Sequence, residues 1–481
     1  MAQHEDELNM RQQKREALRK KREAEQRKMK LALILAVILL IACGMGIFFL
    51  AKKAGIQPGA TPMEEEQIWQ TEKATEATEA TTPKKSPLTT IHIKAAGDLN
   101  VTTSVVNAGL APNGFNFTNA FVDVASTMAS ADLTVMNFEG NIYGQEYGTE
   151  TTVAPRELLD GLRSMGVDMI QTANSASINN GLIGLSSTLS AVRHAGMVPL
   201  GSYASSGEFQ QSKGYTMCEI QGIRVALVAF TKGVGGKGMP AGNEDCVNLL
   251  YLDYDSEYRK IDKAGINKVL DAVAKEEPDI TIAMLHWGSE FNETISESQK
   301  EIAKIMTKKG VDVIIGTHPH LVQTIEYDPL AGTLIAYSLG DFFGDGTKGG
   351  TNYSIILDVE ITKDAQLETT RVTGFDCIPI YTMQSTDSLG DYSYNRVVRI
   401  HEAMRAYENN FVDKISKATY ESMEYALTRI DQRIATTKKV ECPDCGESLE
   451  VLVNQYGKLV DKKTCKCGEI LEKGSNYSDY D

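Results

Sequence analysis

Two histidines separated by a single proline stand in Gly316-Thr317-His318-Pro319-His320. In an extended segment, residues i and i+2 project to one side, and the proline favours an extended conformation at His318. Two neutral imidazoles held on one side of a loop suit a divalent cation. Other groups of the same chemical kind close other apolar runs. They are Gly97-Asp98, Asn137-Phe138-Glu139-Gly140, Ala173-Asn174, His286-Trp287-Gly288 and Ser338-Leu339-Gly340-Asp341. Any one of these endings reads as ordinary turn chemistry. Together they deliver carboxylate, amide and imidazole groups, which are the ligand types a divalent metal prefers.

The runs that carry these endings have strand length: Ile91–Ala96, Leu133–Asn137, Val167–Thr172, Val225–Phe230, Ile280–Leu285, Val311–Ile315 and Thr333–Tyr337. Stretches of helical periodicity lie between several of them, at Pro155–Met165, Leu185–His194 and Ser296–Lys309. Such alternation predicts an α/β domain with much parallel pairing. In open α/β sheets the ligand site lies beyond the carboxyl ends of the strands, where the polar groups above fall.

The order and spacing of these landmarks resemble the CapA family of capsule and poly-γ-glutamate synthesis proteins, from about Ile91 to Phe343. Tyr337-Ser338-Leu339-Gly340-Asp341-Phe342 is similar to the family's closing motif, which usually ends Gly-Asn-Phe. The resemblance implies a four-layer αββα sandwich of metallophosphatase type. It also implies a metal centre with Asp98, Glu139, His286, His318 and His320 as ligands, and with Asn174 and His286 in catalytic roles. Manganese, zinc, iron and magnesium all remain open as the metal. Such a centre lowers the pKa of water and clamps a phosphoryl or acyl oxygen. The family commonly shows Ala-Asn-Asn-His where this chain has Ala173-Asn174-Ser175-Ala176. Ser175 is a poorer neutral ligand and Ala176 can donate nothing. Thr317 and Asp341 also replace commoner residues, and Asp341 adds a carboxylate as a further ligand or a turn cap. Two functions follow. One is a metal-dependent hydrolase acting on a surface polymer or phosphoester. The other is an inactive scaffold that binds polymer or capsule-synthase membrane partners.

The 481-residue chain is too long for one ordinary domain, and its net charge of −15 argues against a broad nucleic-acid surface. Residues 1–30 form a basic tail, with ten Lys and Arg between positions 11 and 30. Residues 31–51 carry no charge and are long enough to span a bilayer as a signal anchor, which leaves the following domain extracellular. Leu40-Ile41-Ala42-Cys43 offers a lipobox as the rival reading. Residues 52–90, rich in Thr, Glu and Pro, read as a disordered stalk. Residues 91–390 form the CapA-like domain, 391–440 a helical segment and 441–471 a cysteine module.

In that module Cys442-Pro443-Asp444-Cys445-Gly446 and Cys465-Lys466-Cys467-Gly468 resemble the two knuckles of a zinc ribbon, one residue short in the second. Outside the cell disulfides are the alternative. Gly233–Gly238 follows the Val225–Phe230 run and lacks the Gly-Lys-Ser/Thr of a Walker phosphate loop, so it reads as a loop near the site.

Overall fold

The computed structural model describes residues 87–386, 393–411 and 415–479. The basic tail, the expected membrane span and most of the stalk lie outside the described residues. No helix among the described residues is long and apolar enough to cross a membrane.

Strands run in chain order as β1 (Leu88–Asn100), the short hairpin β2 (Leu110–Ala111) and β3 (Gly114–Phe115), β4 (Leu133–Glu139), β5 (Met169–Gln171), β6 (Val198–Leu200), β7 (Tyr215–Ile220), β8 (Ile223–Thr231), β9 (Ile280–His286), β10 (Val313–Thr317), β11 (Ile325–Asp328), β12 (Thr333–Ala336), β13 (Asp341–Phe343), β14 (Tyr353–Asp364), β15 (Thr369–Thr386) and β16 (Ser393–Arg399). One sheet has the order β16-β15-β14-β1-β4-β5-β6, with β13 also pairing β1, and the other has the order β11-β12-β10-β9-β8-β7. The pairs β1–β4, β4–β5, β8–β9 and β9–β10 are parallel, as the alternation with helices requires.

Strict side-chain alternation builds the layers from apolar runs that look continuous in sequence. Val225, Leu227 and Ala229 enter the core between the sheets, with Ile280, Ile282 and Met284 beside them and Ile91, Ile93 and Ala95 opposite. The intervening Ala226, Val228 and Phe230 face outward, against the helices Lys263–Ala274 and Glu297–Lys308. On the other side, Ala96, Met136 and Phe138 pack against the helices Thr118–Met128 and Glu157–Ser164. The result is helix, sheet, sheet, helix, in a mixed α/β architecture. Each fully buried Val, Leu or Ile contributes on the order of 1.5–3 kcal/mol.

The segment expected to turn helical after residue 390 begins instead with β16, which pairs antiparallel with β15 from Ile380↔Arg399 to Thr386↔Ser393. Cross-strand pairing in an existing sheet outweighs the weak helical spacing of Tyr394–Val398. Helices follow at Ile400–Glu408 and Lys417–Ile434. Their Ile400, Ala403, Met423, Ala426 and Ile430 join the core between the sheets. The cysteine module is the hairpin β17 (Thr436–Glu441) and β18 (Ser448–Val453) with the short strands β19 (Lys463–Thr464) and β20 (Ile470–Leu471).

Candidate metal centre

Register places the polar strand ends together. Asp98 of β1 is opposite Asn137 of β4 and Asp341 of β13, and His286 of β9 is opposite Thr317 of β10. His286 has the parity of Ile280, Ile282 and Met284, so it points between the sheets. Close approach of the chain ends requires glycine. A Cβ at Gly97 would lie 1.8 Å from the Gly340 carbonyl oxygen, and one at Gly316 would lie 1.9 Å from that of Tyr337.

Asp98, fully buried, accepts from Asn137 Nδ2 at 2.6 Å and from the His318 backbone N–H at 2.9 Å. His286 Nε2 lies 3.5 Å from Glu139 Oε1, and its Nδ1 lies 3.2 Å from Thr317 Oγ1. His320 Nδ1 is 2.7 Å from Asp341 Oδ1, and its Nε2 is 4.0 Å from Glu139 Oε2. The five ligand positions expected from sequence therefore meet in one place, and Asp341 joins them.

The histidine pair does not sit on extended backbone. His318 has φ 90° and His320 φ 59°, both in the left-handed region. The local preference set by Pro319 is overridden by the bond from His318 N–H to Asp98. Backbone strain of this kind is held by the surrounding structure and gathers at functional sites.

The electrostatics call for a cation. Burial raises the Asp98 carboxyl, against the pull of His320 and His286. Burial likewise pushes Asp341 up to about 7, with His320 opposing. Glu139 is also penalised by burial, but His286 and His320 outweigh this and hold it down at about 2. Burial would lower His320, yet Asp341, Glu139 and Asp98 raise it to about 11. His318 is held well below its ordinary value by burial, with His286 and Lys232 adding to the effect. Three buried carboxylates thus share one favoured imidazolium, a role a divalent ion fills more fully. Glu139 Oε2 is buried with no hydrogen-bond partner. The overlapping triads Asp98–Glu139–His286, Glu139–His318–His320 and Asp98–His320–Asp341 each bring three ligand atoms within 4.8 Å of one another. These residues fit one or two divalent cations.

Asn174 stands one layer behind. Its Nδ2 donates to Asn137 Oδ1 at 3.0 Å and to the Phe138 carbonyl at 2.7 Å, and its Oδ1 accepts from Ala176 N–H at 3.1 Å. With those bonds made, it holds Asn137 against Asp98. Ser175 faces the imidazoles instead, its Oγ 2.9 Å from His286 Nε2 and 3.5 Å from His318 Nδ1. Trp287 is core rather than pocket wall: it is fully buried, stacked on Tyr337, and its Nε1 donates to the Tyr337 carbonyl at 2.9 Å. Asn137 stands within a strand-end landmark, but its bridging role comes from Asp98 and Asn174 on other elements. Lys232 follows the last residue of β8, a strand end whose signal is this lysine alone.

Far along the chain, Cys442, Cys445, Cys465 and Cys467 also bring their sulfurs within 4.8 Å of one another. All four are free thiols, with Cys442–Cys467 and Cys445–Cys465 each separated by 3.5 Å. Four converging thiols fit a tetrahedral soft-metal site.

A four-layer α/β protein with buried acidic and imidazole groups converging at its strand ends is the class that fold and site define. Residues 92–345 match the model of the bacterial capsule synthesis protein family PGA_cap, and the chain belongs to that family. Among curated relatives, the PGA biosynthesis protein CapA of Bacillus subtilis (strain 168) is 27% identical over 209 residues, which are 44% of this chain and 51% of that protein. The capsule biosynthesis protein CapA of Bacillus anthracis is 28% identical over 193 residues, 40% of this chain and 44% of that protein. The match spans about half the length of these relatives. Solved structures with similar folds include a phosphatase from Mycoplasma pneumoniae (14% identity, TM-score 0.38, 61% of this chain and 94% of that one). Another is the calcineurin-like phosphoesterase YfkN of Bacillus subtilis (15% identity, TM-score 0.37, 70% and 100%). At these TM-scores the likeness carries no functional weight.

Proposed function

We propose that this protein is a membrane-anchored, metal-dependent hydrolase of capsule or poly-γ-glutamate synthesis or export, with a metallophosphatase-type domain held outside the cell by residues 31–51. Its substrate is a surface polymer or a phosphoester. The observation that carries the reading is Glu139 Oε2, buried without a hydrogen-bond partner among imidazoles and carboxylates that outnumber their countercharge. A divalent ion there supplies Lewis acidity toward a phosphoryl or acyl oxygen and lowers the pKa of water. Asp98, Glu139, His286, His318, His320 and Asp341 hold it. Asn137 and the His318 N–H fix the Asp98 carboxylate, and Thr317 Oγ1 orients His286. Asn174 supports the site through Asn137. Zinc at the four cysteines is structural, since four thiolates leave no open position.

The second reading, a scaffold for polymer or synthase partners, is favoured by Ala176, buried where the family commonly carries a histidine. Metal analysis of the full-length protein in detergent, with hydrolysis assays on model phosphoesters and poly-γ-glutamate, separates the two. We expect a divalent ion in the wild type, and loss of both ion and turnover in His318→Ala. A wild type without metal at this site sinks the enzyme reading.

A further inference from the structure

The glycine-rich segment after β8 lies on the strand-end site. Thr231 is in register with His286, and Lys232 N–H donates to the His286 carbonyl at 2.7 Å. Gly235 comes so close to the Ser175 segment that a Cβ there would lie 3.0 Å from the Ser175 carbonyl oxygen. Ser175 is half-buried, whereas Asp98, Glu139, His286, His318, His320 and Asp341 are all buried, so Ser175 marks the mouth of the site. The loop is bracketed by two lysines. Lys232 Nζ donates to the Gly288 carbonyl at 2.7 Å and sits 4.4 Å from the centre of the Tyr258 ring. Lys237 Nζ donates to Asn179 Oδ1 at 2.7 Å and also approaches the Asn179 carbonyl at 3.3 Å.

These partners are neutral. Among the described residues no carboxylate lies within 4.0 Å of either ammonium, in a chain with 64 acidic residues against 49 basic ones. Tyr258 and Gly288 fix Lys232 without a direct ion pair, and Asn179 does the same for Lys237. Each ammonium carries three donors, so each keeps capacity for an anion. Burial lowers both lysines from their ordinary values, with Glu290 opposing at Lys232. Gly235 and Gly236 both have φ 69°, a conformation that lets the loop fold over the mouth with a lysine at each end.

We propose that Lys232 and Lys237 form an anion clamp across the mouth of the strand-end site, binding the charged phosphoryl or carboxylate oxygens of the substrate beside the bond to be cleaved. The clamp rests on the site being the one that handles substrate, as proposed above. Point charges on flexible stems replace the backbone cradle that a Walker loop would provide.

Isothermal titration of the full-length, metal-loaded protein tests this, with inorganic phosphate in one arm and a short γ-linked glutamate oligomer in the other. Metal content is measured on every sample. The double variant Lys232→Gln/Lys237→Gln is expected to keep its metal and melting temperature and to bind the preferred anion at least ~10-fold more weakly, the size expected for removing charged hydrogen bonds. Lys232→Arg/Lys237→Arg is expected to restore most of that loss. The arm that binds more tightly in the wild type identifies the anion's source. Equal affinity in wild type and Gln variant, or no binding of either anion to the wild type, overturns the clamp. A wild type that lacks metal yet loses anion binding in the Gln variant overturns the hydrolase reading and leaves the clamp standing.

Discussion

At the strand ends, the candidate ligands lie at or just past the ends of strands that pack into the two main cores. Asp98 is fixed by Asn137, Asn137 by Asn174, and Asn174 by the Phe138 carbonyl and Ala176 N–H. At the C-terminus, four thiols hang from two turns on a module with a small core of its own, built from Val440, Leu449, Val451, Val453, Leu459 and Leu471 with two of the cysteines. The first cluster is preorganised by the fold and would keep its shape without an ion. The second has little apolar surface to hold it, so a metal bound there would be coupled to its folding. Side-chain amides tie the module to the rest: Gln455 exchanges hydrogen bonds with the backbone of Cys377, and Asn454 donates to Asp431.

The largest expected effect breaks this comparison directly. Structural zinc contributes on the order of 10 kcal/mol to a small thiolate module. Stripping metal with a strong chelator, or the substitution Cys465→Ser, is expected to abolish amide hydrogen-exchange protection across residues 436–479. Protection in β1, β4, β9 and β10 should be unchanged. Equal protection of the module before and after stripping would show that it, too, folds without its ligand.

The second effect probes how tightly the strand ends are built. Gly97→Ala places a methyl group 1.8 Å from the Gly340 carbonyl oxygen, which backbone must yield to accommodate. A loss of at least ~3 kcal/mol in urea unfolding is expected, above the usual range for overpacking because the obstacle is main chain. A loss below ~1 kcal/mol would mean that β1 and β13 are loosely joined and that preorganisation at Asp98 is overstated.

Next comes Trp287, adjacent to His286 in sequence but separate from it in role. Trp287→Phe removes a buried ring's bulk and leaves the Tyr337 carbonyl without its indole donor. A loss of about 2 kcal/mol is expected from cavity and hydrogen-bond terms, with metal content unchanged. Loss of metal without loss of stability would place Trp287 in the site rather than in the core.

These residues also show what could be read before the fold was known. Asp98, Glu139, His286, His318 and His320 were legible because each ends an apolar run, and parallel sheets gather such ends at one edge. The histidine backbone was not legible: Pro319 predicts extension, and only a carboxylate some 220 positions earlier explains the left-handed turn. The strand Ser393–Arg399 was hidden because its Val397, Val398 and Ile400 also fit helical spacing, and only pairing with β15 decides between the two. Asn137's bridge and the neutral partners of Lys232 depend on neighbours from other elements, which spacing within a run cannot reveal.

The smallest effect uses the strand that carries the histidines, at its opposite end. Asp312 precedes β10 and accepts from Thr281 N–H at 2.8 Å, away from any candidate ligand. Burial pushes its carboxyl up to about 6, with that hydrogen bond opposing. A raised acid pKa means the folded state binds its proton more tightly than the unfolded state does. The neutral form's advantage is therefore complete below about pH 4 and is lost as pH rises through 6. Asp312→Asn keeps the acceptor and removes the charge. It is expected to stabilise the protein by ~1–2 kcal/mol at pH 7.5, discounted for partial exposure, and by nearly nothing at pH 4. Urea unfolding at the two pH values measures the difference. An equal gain at both would assign the effect to packing. A loss at pH 7.5 would mean that this end of the strand also favours a buried charge, and that the charged character of the site end is not special to it.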